Sequence, residues 1–309
     1  MLNTRALFYL SAINRRGSLR RAASMSGVDV STVSRKIRQL EEILDVTLLE
    51  RGASGTILTE AGRLLAQHHH KQEASEAAIL SHLNELQGVV AGWVRIAVGE
   101  GFVSDLMLEP LGEFMAENPG VKVEISVSGV DEATDLLKSG DVDLAILYAP
   151  PVDHMLECHA ETIQPIDLIV PADHPFSRIT QPLSFQEIAK HPIGLMDPSF
   201  GLRQMLDAVA HQQRVVFEAQ LLTNSVNVLR HYVCSGRGIT FMPELTVAQE
   251  ISAGTLVAIP LEHNIFSSTR AQIASLVDRE RTIATQCCLD YLRAKMRFFN
   301  ADAPRLIRR

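Results

Sequence analysis

Four side chains within one fifteen-residue stretch, Ser31, Ser34, Arg35 and Arg38, are of types that touch nucleic acid. The planar guanidinium of arginine can donate two hydrogen bonds to a guanine edge. Short hydroxyls bond phosphate and let a backbone come close. The apolar residues between them, Val33, Ile37, Leu40 and Leu44, are spaced i, i+4, i+7, i+11, which predicts one buried helical stripe. At 100° per residue the hydroxyls and guanidiniums gather on the opposite side. Val30 and Thr32 complete the exposed first turn; Val30 can pack on a thymine methyl but cannot hydrogen-bond a base. The same pattern also suits an amphipathic helix with a solvated basic face.

The elements needed to position such a helix precede it. Ser18 is placed to cap a helix from Leu19 to about Ser26, with Ala22 and Ala23 small enough for a close helix crossing. Gly27 stops that helix, and Asp29 is placed to cap the next. Two short helices joined by a tight glycine-containing turn make a helix-turn-helix.

Charge distribution favours the nucleic-acid reading. The 309-residue chain carries a net −7. Residues 1–38 hold eight Lys or Arg and one acid, Asp29, a local +7 that leaves −14 for the remaining 271 residues. A basic head on an acidic body excludes a general coat for nucleic acid and suggests a DNA-reading module joined to something else.

At this length, with 46% apolar residues, two or three cores are expected. Arg5 interrupts the N-terminus before any apolar signal region, and no run of roughly 18 apolar residues exists. Cys158, Cys234, Cys287 and Cys288 lack metal-ligand or disulfide-framework spacing. A cytoplasmic protein without membrane contact, metal or cofactor is therefore expected.

The N-terminal segment resembles the winged helix-turn-helix of the LysR-type transcriptional regulators. The residues that carry the likeness are Phe8, Gly17-Ser18-Leu19, Ala22-Ala23, Val33-Ser34-Arg35-Lys36-Ile37, Leu40-Glu41, Leu48, Glu50-Arg51 and Leu58-Thr59-Glu60-Ala61-Gly62. The resemblance implies a recognition helix at 30–44 and a wing at 50–59, with Arg51 on backbone phosphate. Where the family commonly begins this helix with Gln-Pro, this chain has Val30-Ser31, so operator preference does not carry over.

The head is expected to end near residue 58, followed by a linker helix over 59–87. Ile79, Leu83, Leu86 and Val90 have a/d spacing, continued weakly backwards by Gln72 and Leu65. In the family this helix pairs two heads, so a homodimer or homotetramer on a partly palindromic double-stranded operator is implied, with RNA polymerase a candidate further partner. The run His68-His69-His70 cannot chelate one ion, since consecutive helical residues diverge, and it reads as solvated helix.

A hinge is expected at 88–92 (GVVAG). From Trp93 onward, strands alternate with helices: strands at 94–98, 121–127 and 143–147, with helices at 106–118 and 131–138, predict an α/β unit with a parallel sheet. A second unit has strands at 168–170, 193–196, 215–219 and 238–242, and a helix over 282–299 returns to the first. The first lobe spans about 93–166 and 268–300, the second about 167–267. Gly140-Asp141-Val142-Asp143-Leu144-Ala145-Ile146, Asp173-His174-Pro175, Gly236-Arg237-Gly238-Ile239 and Phe241-Met242-Pro243 are similar to the family's effector-binding domain. That domain is a two-lobed α/β fold of the periplasmic-binding-protein type.

A small-molecule effector is expected in the interlobe cleft, near strand C-terminal ends. Gly99-Glu100-Gly101-Phe102 follows the first strand. Phe200 and Arg203 begin a helix across the cleft, and Asn224-Ser225 begins another. Many relatives place Ser or Thr around Gly99 to hold a carboxylate, whereas here Glu100 adds a negative charge. Glu100 opposite Arg203, with aromatic faces from Phe102, Tyr148 and Phe200, suggests a zwitterionic or amine-bearing effector. The bland alternative makes both charges rim residues that face water or pair elsewhere. His154, Cys158 and His159 form only a loose cluster, and they and the other cysteines read as filler. A solute-binding protein would share the body but not the basic head. An enzyme would need a nucleophile elbow, P-loop or dinucleotide loop, none of which is present. The expectation is a ligand-responsive transcriptional regulator without turnover.

Overall fold

Small and aliphatic residues at Ala6, Leu7, Leu10 and Ile13 line one face of a first helix, α1 (Thr4–Arg16), additional to the two expected in the head. The computed structural model describes residues 3–16, 18–52, 55–86, 88–179 and 181–300. α2 (Leu19–Met25) starts at Ser18, whose hydroxyl accepts from Arg21 N, and a turn through Gly27 (φ +62°) leads into α3 (Val30–Leu44). Ala22 and Ala23 are buried where α2 meets its neighbours, and Val33, Ile37 and Leu40 are the buried stripe of α3. Asp29 holds the extended N-cap position of α3, but its side chain makes no capping bond. Thr32 N and Val33 N donate to its main-chain carbonyl instead. A two-stranded antiparallel wing follows, β1 (Leu49–Gly52) and β2 (Gly55–Leu58). Glu41 Oε1 ties α3 to the wing by accepting from Leu48 N (2.7 Å) and Leu49 N (3.2 Å).

The linker helix α4 (Glu60–Glu85) is capped by Thr59, whose hydroxyl accepts from Gly62 N and donates to the Thr47 carbonyl. The solvated reading of the histidine run holds for exposed His68 only. His69 and His70 are buried, because α4 packs on α1 along one face and on the body along another. His70 Nε2 lies 2.9 Å from Ser11 Oγ, His69 sets its ring edgewise to Phe8, and Glu73 approaches both imidazoles. Among the described residues, no three metal-binding side chains cluster.

The hinge is shorter than expected. Gly88 (φ +73°) makes the turn, and strand β3 (Ala91–Val98) already begins at Ala91. The first lobe continues through α5 (Val103–Leu108), α6 (Pro110–Glu117), β4 (Gly120–Val127), α7 (Val130–Ser139), β5 (Leu144–Tyr148) and β6 (Leu156–Ile163). The single helix expected at 106–118 is two, because Pro110 has no N–H to continue a helical ladder and instead starts α6. The second lobe holds β7 (Asp167–Pro171), α8 (Phe185–Ile188), β8 (Ile193–Met196), α9 (Gly201–Gln213), β9 (Ala219–Thr223) and α10 (Val226–Cys234). It closes with β10 (Thr240–Met242), α11 (Ala248–Ser252), β11 (Leu256–Pro260) and α12 (Asn264–Ser268). The chain then returns through β12 (Arg270–Leu276) and α13 (Ile283–Lys295), which packs on β3 and α6 of the first lobe.

The first-lobe sheet has the order β4-β3-β5-β12-β6. β3 pairs in parallel with β4 and β5, as strand–helix–strand connections require. The sheet is mixed rather than parallel, since β12 arrives from the other lobe and runs antiparallel to β5 and β6. In the second lobe β10-β7-β11 is antiparallel, and β8-β9 is parallel and joined to it by a bridge from Ile193 to Ile239. The strand expected at 215–219 forms four residues later as β9. Phe217 is instead buried in the lobe core on the approach to it. The two crossing segments run side by side, with Gln164 N donating to the Thr269 carbonyl and Ile166 N to that of Phe266. No helix among the described residues is long and apolar enough to cross a membrane.

Candidate functional sites: a helix face and an interlobe cleft

The outer face of α3 is open. Val30, Ser31, Arg35 and Arg38 are exposed, and Thr32 and Ser34 are half-buried beside them. Neither Arg35 nor Arg38 makes an ion pair or hydrogen bond among the described residues, so both guanidiniums present their donors outward. Arg51 stands on the wing strand opposite Thr56, and its side chain lies outside the described residues. A rigid helix carrying outward guanidiniums, flanked by a wing, has the shape and charge to lie in a DNA major groove.

The second site is the narrow cleft between the lobes. Its walls are mainly apolar, with Phe102, Ile146, Leu147 and Tyr148 from the first lobe and Met196, Phe200, Leu202 and Met242 from the second. Two glycines let the lobes approach. A Cβ on Gly129 would sit 2.7 Å from the Ser199 carbonyl oxygen, and one on Gly201 would sit 2.2 Å from that of Tyr148. Any side chain at either position would force the cleft apart.

Aromatic rings fix the inner wall. Phe102 meets Phe298 edge-on at 4.7 Å and Tyr148 at 6.3 Å. Tyr148 donates its hydroxyl to the Gln164 carbonyl on a crossing segment, and Gln164 Nε2 in turn donates to the Phe298 carbonyl. Burial, with the nearby Asp167 carboxylate, pushes the Tyr148 phenol well above its ordinary value. It therefore stays a neutral donor, linking the cleft wall to a segment that crosses between the lobes.

Gly99, Glu100, Gly101, Phe102, Tyr148 and Phe200 all line the cleft, but the expected charge pair is not assembled there. Arg203 turns along its own lobe, with Nε 2.8 Å from Asp207 Oδ1 and Nη1 3.0 Å from the Met196 carbonyl oxygen. Asn224 is exposed, and neither it nor Arg203 is part of the cleft lining. Glu100 reaches across the gap to the N-terminus of α10. Its Oε1 accepts from Ser225 Oγ at 2.7 Å and from Asn227 N and Nδ2 at 3.3 Å, and its Oε2 accepts from Val226 N. The cause is local: the first N–H groups of a helix lack helical partners and attract a carboxylate.

Ser128 is a further cleft residue. It is buried, it lines the cleft, and its hydroxyl has no hydrogen-bond partner among the described residues. Its signal was its place between the end of β4 and the start of α7, the counterpart of Gly99 after β3. Thr246 and Val226 join it on the wall. All four cysteine thiols are pushed up, chiefly by burial, and that of Cys288 reaches about 12. None is an activated thiolate.

Residues 4–63 match the family model for the bacterial regulatory helix-turn-helix protein, lysR family, and residues 87–297 match the LysR substrate binding domain. The probable RuBisCO transcriptional regulator of Nostoc sp. (strain PCC 7120 / SAG 25.82 / UTEX 2576) is 26% identical over 266 residues, covering 84% of this chain and 79% of that protein. The corresponding regulator of Cyanophora paradoxa is 25% identical over 308 residues, covering 97% and 93%. Among solved structures, a full-length OxyR variant from Pseudomonas aeruginosa superposes with a TM-score of 0.73 at 19% identity, covering 98% of this chain and 99% of that one. The regulatory domain of Synechocystis PCC6803 CcmR, in complex with 2-PG, gives a TM-score of 0.59 at 22% identity over 66% of this chain and 97% of its own. Both of these sequence relatives carry the name of a transcriptional regulator. With a matched helix-turn-helix head and a matched substrate-binding body spanning most of its length, this chain belongs to the LysR family of DNA-binding transcriptional regulators.

Proposed function

We propose that this regulator grips a partly palindromic operator through paired copies of α3 and that an effector in the interlobe cleft biases how the copies are arranged. The observation that carries this reading is a cleft whose apolar walls come from both lobes. A molecule touching both lobes binds one lobe arrangement better than another, which is the condition for shifting an equilibrium. The heads are joined to the first lobe through α4 and the turn at Gly88, so a change in lobe arrangement can reach them. Arg35 and Arg38 would read base edges, and Arg51 would hold phosphate.

The effector we infer is small and largely apolar, with a polar group for the Ser128 hydroxyl. A zwitterion held between Glu100 and Arg203 loses its support, because Arg203 is committed to Asp207 and Glu100 to α10. The CcmR domain holds 2-PG, a ligand in a body of this fold. That ligand does not carry over here, given the carboxylate standing in the cleft wall.

A metabolite panel that includes 2-PG and plain amino compounds tests this by thermal shift on wild type and Thr246→Trp. The new indole would fill the cleft from the half-buried Thr246 position. A stabilising neutral compound whose shift vanishes in Thr246→Trp is expected. An equal shift in both proteins would place the ligand elsewhere.

A further inference from the structure

At the start of α10, four donors converge on the Glu100 carboxylate. α10 has nine residues, and its first two N–H groups, the Asn227 amide and the Ser225 hydroxyl all point to one spot between the lobes. Such a spot attracts carboxylate or phosphate, since converging donors and the helix dipole favour negative charge. Here the anion comes from the other lobe. Glu100 sits in the short turn after β3, and its carboxylate takes donors from three successive residues of the second lobe. The unpartnered hydroxyl of Ser128 lies on the wall of the same cleft, so one polar position there is filled internally and another is open.

We propose that Glu100 is a tethered anion: it latches the two lobes together and excludes small carboxylates and phosphates from the α10 end of the cleft. Two effects act in the same direction. The donors are already taken by charge-assisted hydrogen bonds, and a second anion would stand within a few ångströms of a fixed negative charge. The effector therefore enters by its neutral portion, and the lobes are held near one another before it arrives. The proposal deepens the reading of the cleft as the effector site by naming which ligands Glu100 turns away.

The test is chemical rescue in the full-length protein, using sodium acetate and sodium phosphate as probes against sodium chloride at matched ionic strength. Glu100→Ala leaves the α10 donors empty and removes the charge. It should melt lower than wild type in chloride and recover in acetate. It should also bind acetate at least about tenfold more tightly than wild type does. Glu100→Gln fills the same space without the charge and covers the case in which the alanine variant fails to fold. Its Val226 and Asn227 amides should exchange with solvent at least about fivefold faster than in wild type, with α9 unchanged. An acetate response equal in wild type and Glu100→Ala, or unaltered α10 exchange in Glu100→Gln, would overturn the latch. A cleft ligand that still stabilises wild type in that event would leave the effector reading standing, so the two failures are distinguishable.

Discussion

Glu100 in the first lobe accepts a 2.7 Å hydrogen bond from the hydroxyl of Ser225 in the second, and that contact spans the cleft. Ser225 also caps its own helix, accepting from Val228 N. One side chain thus starts α10 and joins α10 to the neighbouring lobe. The relationship turns a charge that looked available to a ligand into part of the frame.

Ser225→Ala removes both roles of the hydroxyl while leaving Val226 N and Asn227 N for the carboxylate. A loss of about 1 kcal/mol in urea unfolding is expected, the usual size for a lost helix cap. A loss below about 0.3 kcal/mol would mean that the hydroxyl contributes little to either contact.

On the head, Arg35→Ala should weaken binding to the cognate operator by about 1–3 kcal/mol and relax preference at one base pair. Arg51→Ala should weaken all sequences alike and make the dependence of binding on salt shallower by about one counterion. Competition with nonspecific DNA across a salt series separates the two. Equal loss of discrimination in both variants would contradict the assignment.

The linker predicts association. Ile79, Leu83 and Leu86 are 58%, 52% and 84% exposed on α4 and its C-cap, a row of large apolar side chains at a/d spacing. Leu83→Glu should shift sedimentation toward smaller species and weaken binding to a two-half-site operator far more than to a single half-site. Unchanged sedimentation would move the interface elsewhere.

Cys288 makes alkaline stability informative. Its thiol is pushed up to about 12 by burial, whereas in the unfolded chain it ionises near its ordinary value. Below about pH 8.5 both states hold the proton. Above it the unfolded state loses its proton first, so stability falls by up to about 1.4 kcal/mol per pH unit until the folded thiol also ionises near 12. Cys288→Ala should flatten that decline relative to wild type, although filling the site with a smaller side chain lowers stability at neutral pH. Parallel declines in the two proteins would show that another group controls the alkaline limb.

The sequence made the head readable because its signals are local. Periodicity gave α3, Ser18 gave the start of α2, and Gly27 with its positive φ gave the turn. The body was readable where apolar runs are buried on both faces, as at Ile193–Met196 and Leu144–Tyr148. It was not readable at β6, an edge strand whose residues LECHAETI are largely half-buried or exposed and carry a weak alternation. Nor was β12 readable as a return strand, because its antiparallel place is fixed by a crossover more than a hundred residues from its partner β5.

At the cleft the residue types were legible and their partners were not. Glu100 and Arg203 both stand near it in sequence terms. Only the fold shows that Arg203 closes on Asp207 within one helix turn while Glu100 reaches Ser225, 125 positions away. The buried imidazoles of His69 and His70 fail for the same reason: a helix packed on two sides has no solvated face at those positions. Local pattern names a side chain's capacity, and tertiary contact decides whether that capacity is already in use.

The measurement that bears most directly on the central claim is footprinting of the full-length protein on its own upstream DNA, with and without the metabolite panel. Two protected half-sites, an extent of protection that changes with one compound, and loss of specific protection in Arg35→Ala are expected. Protection that is absent, or identical with every compound in the panel and in Arg35→Ala, would contradict that claim.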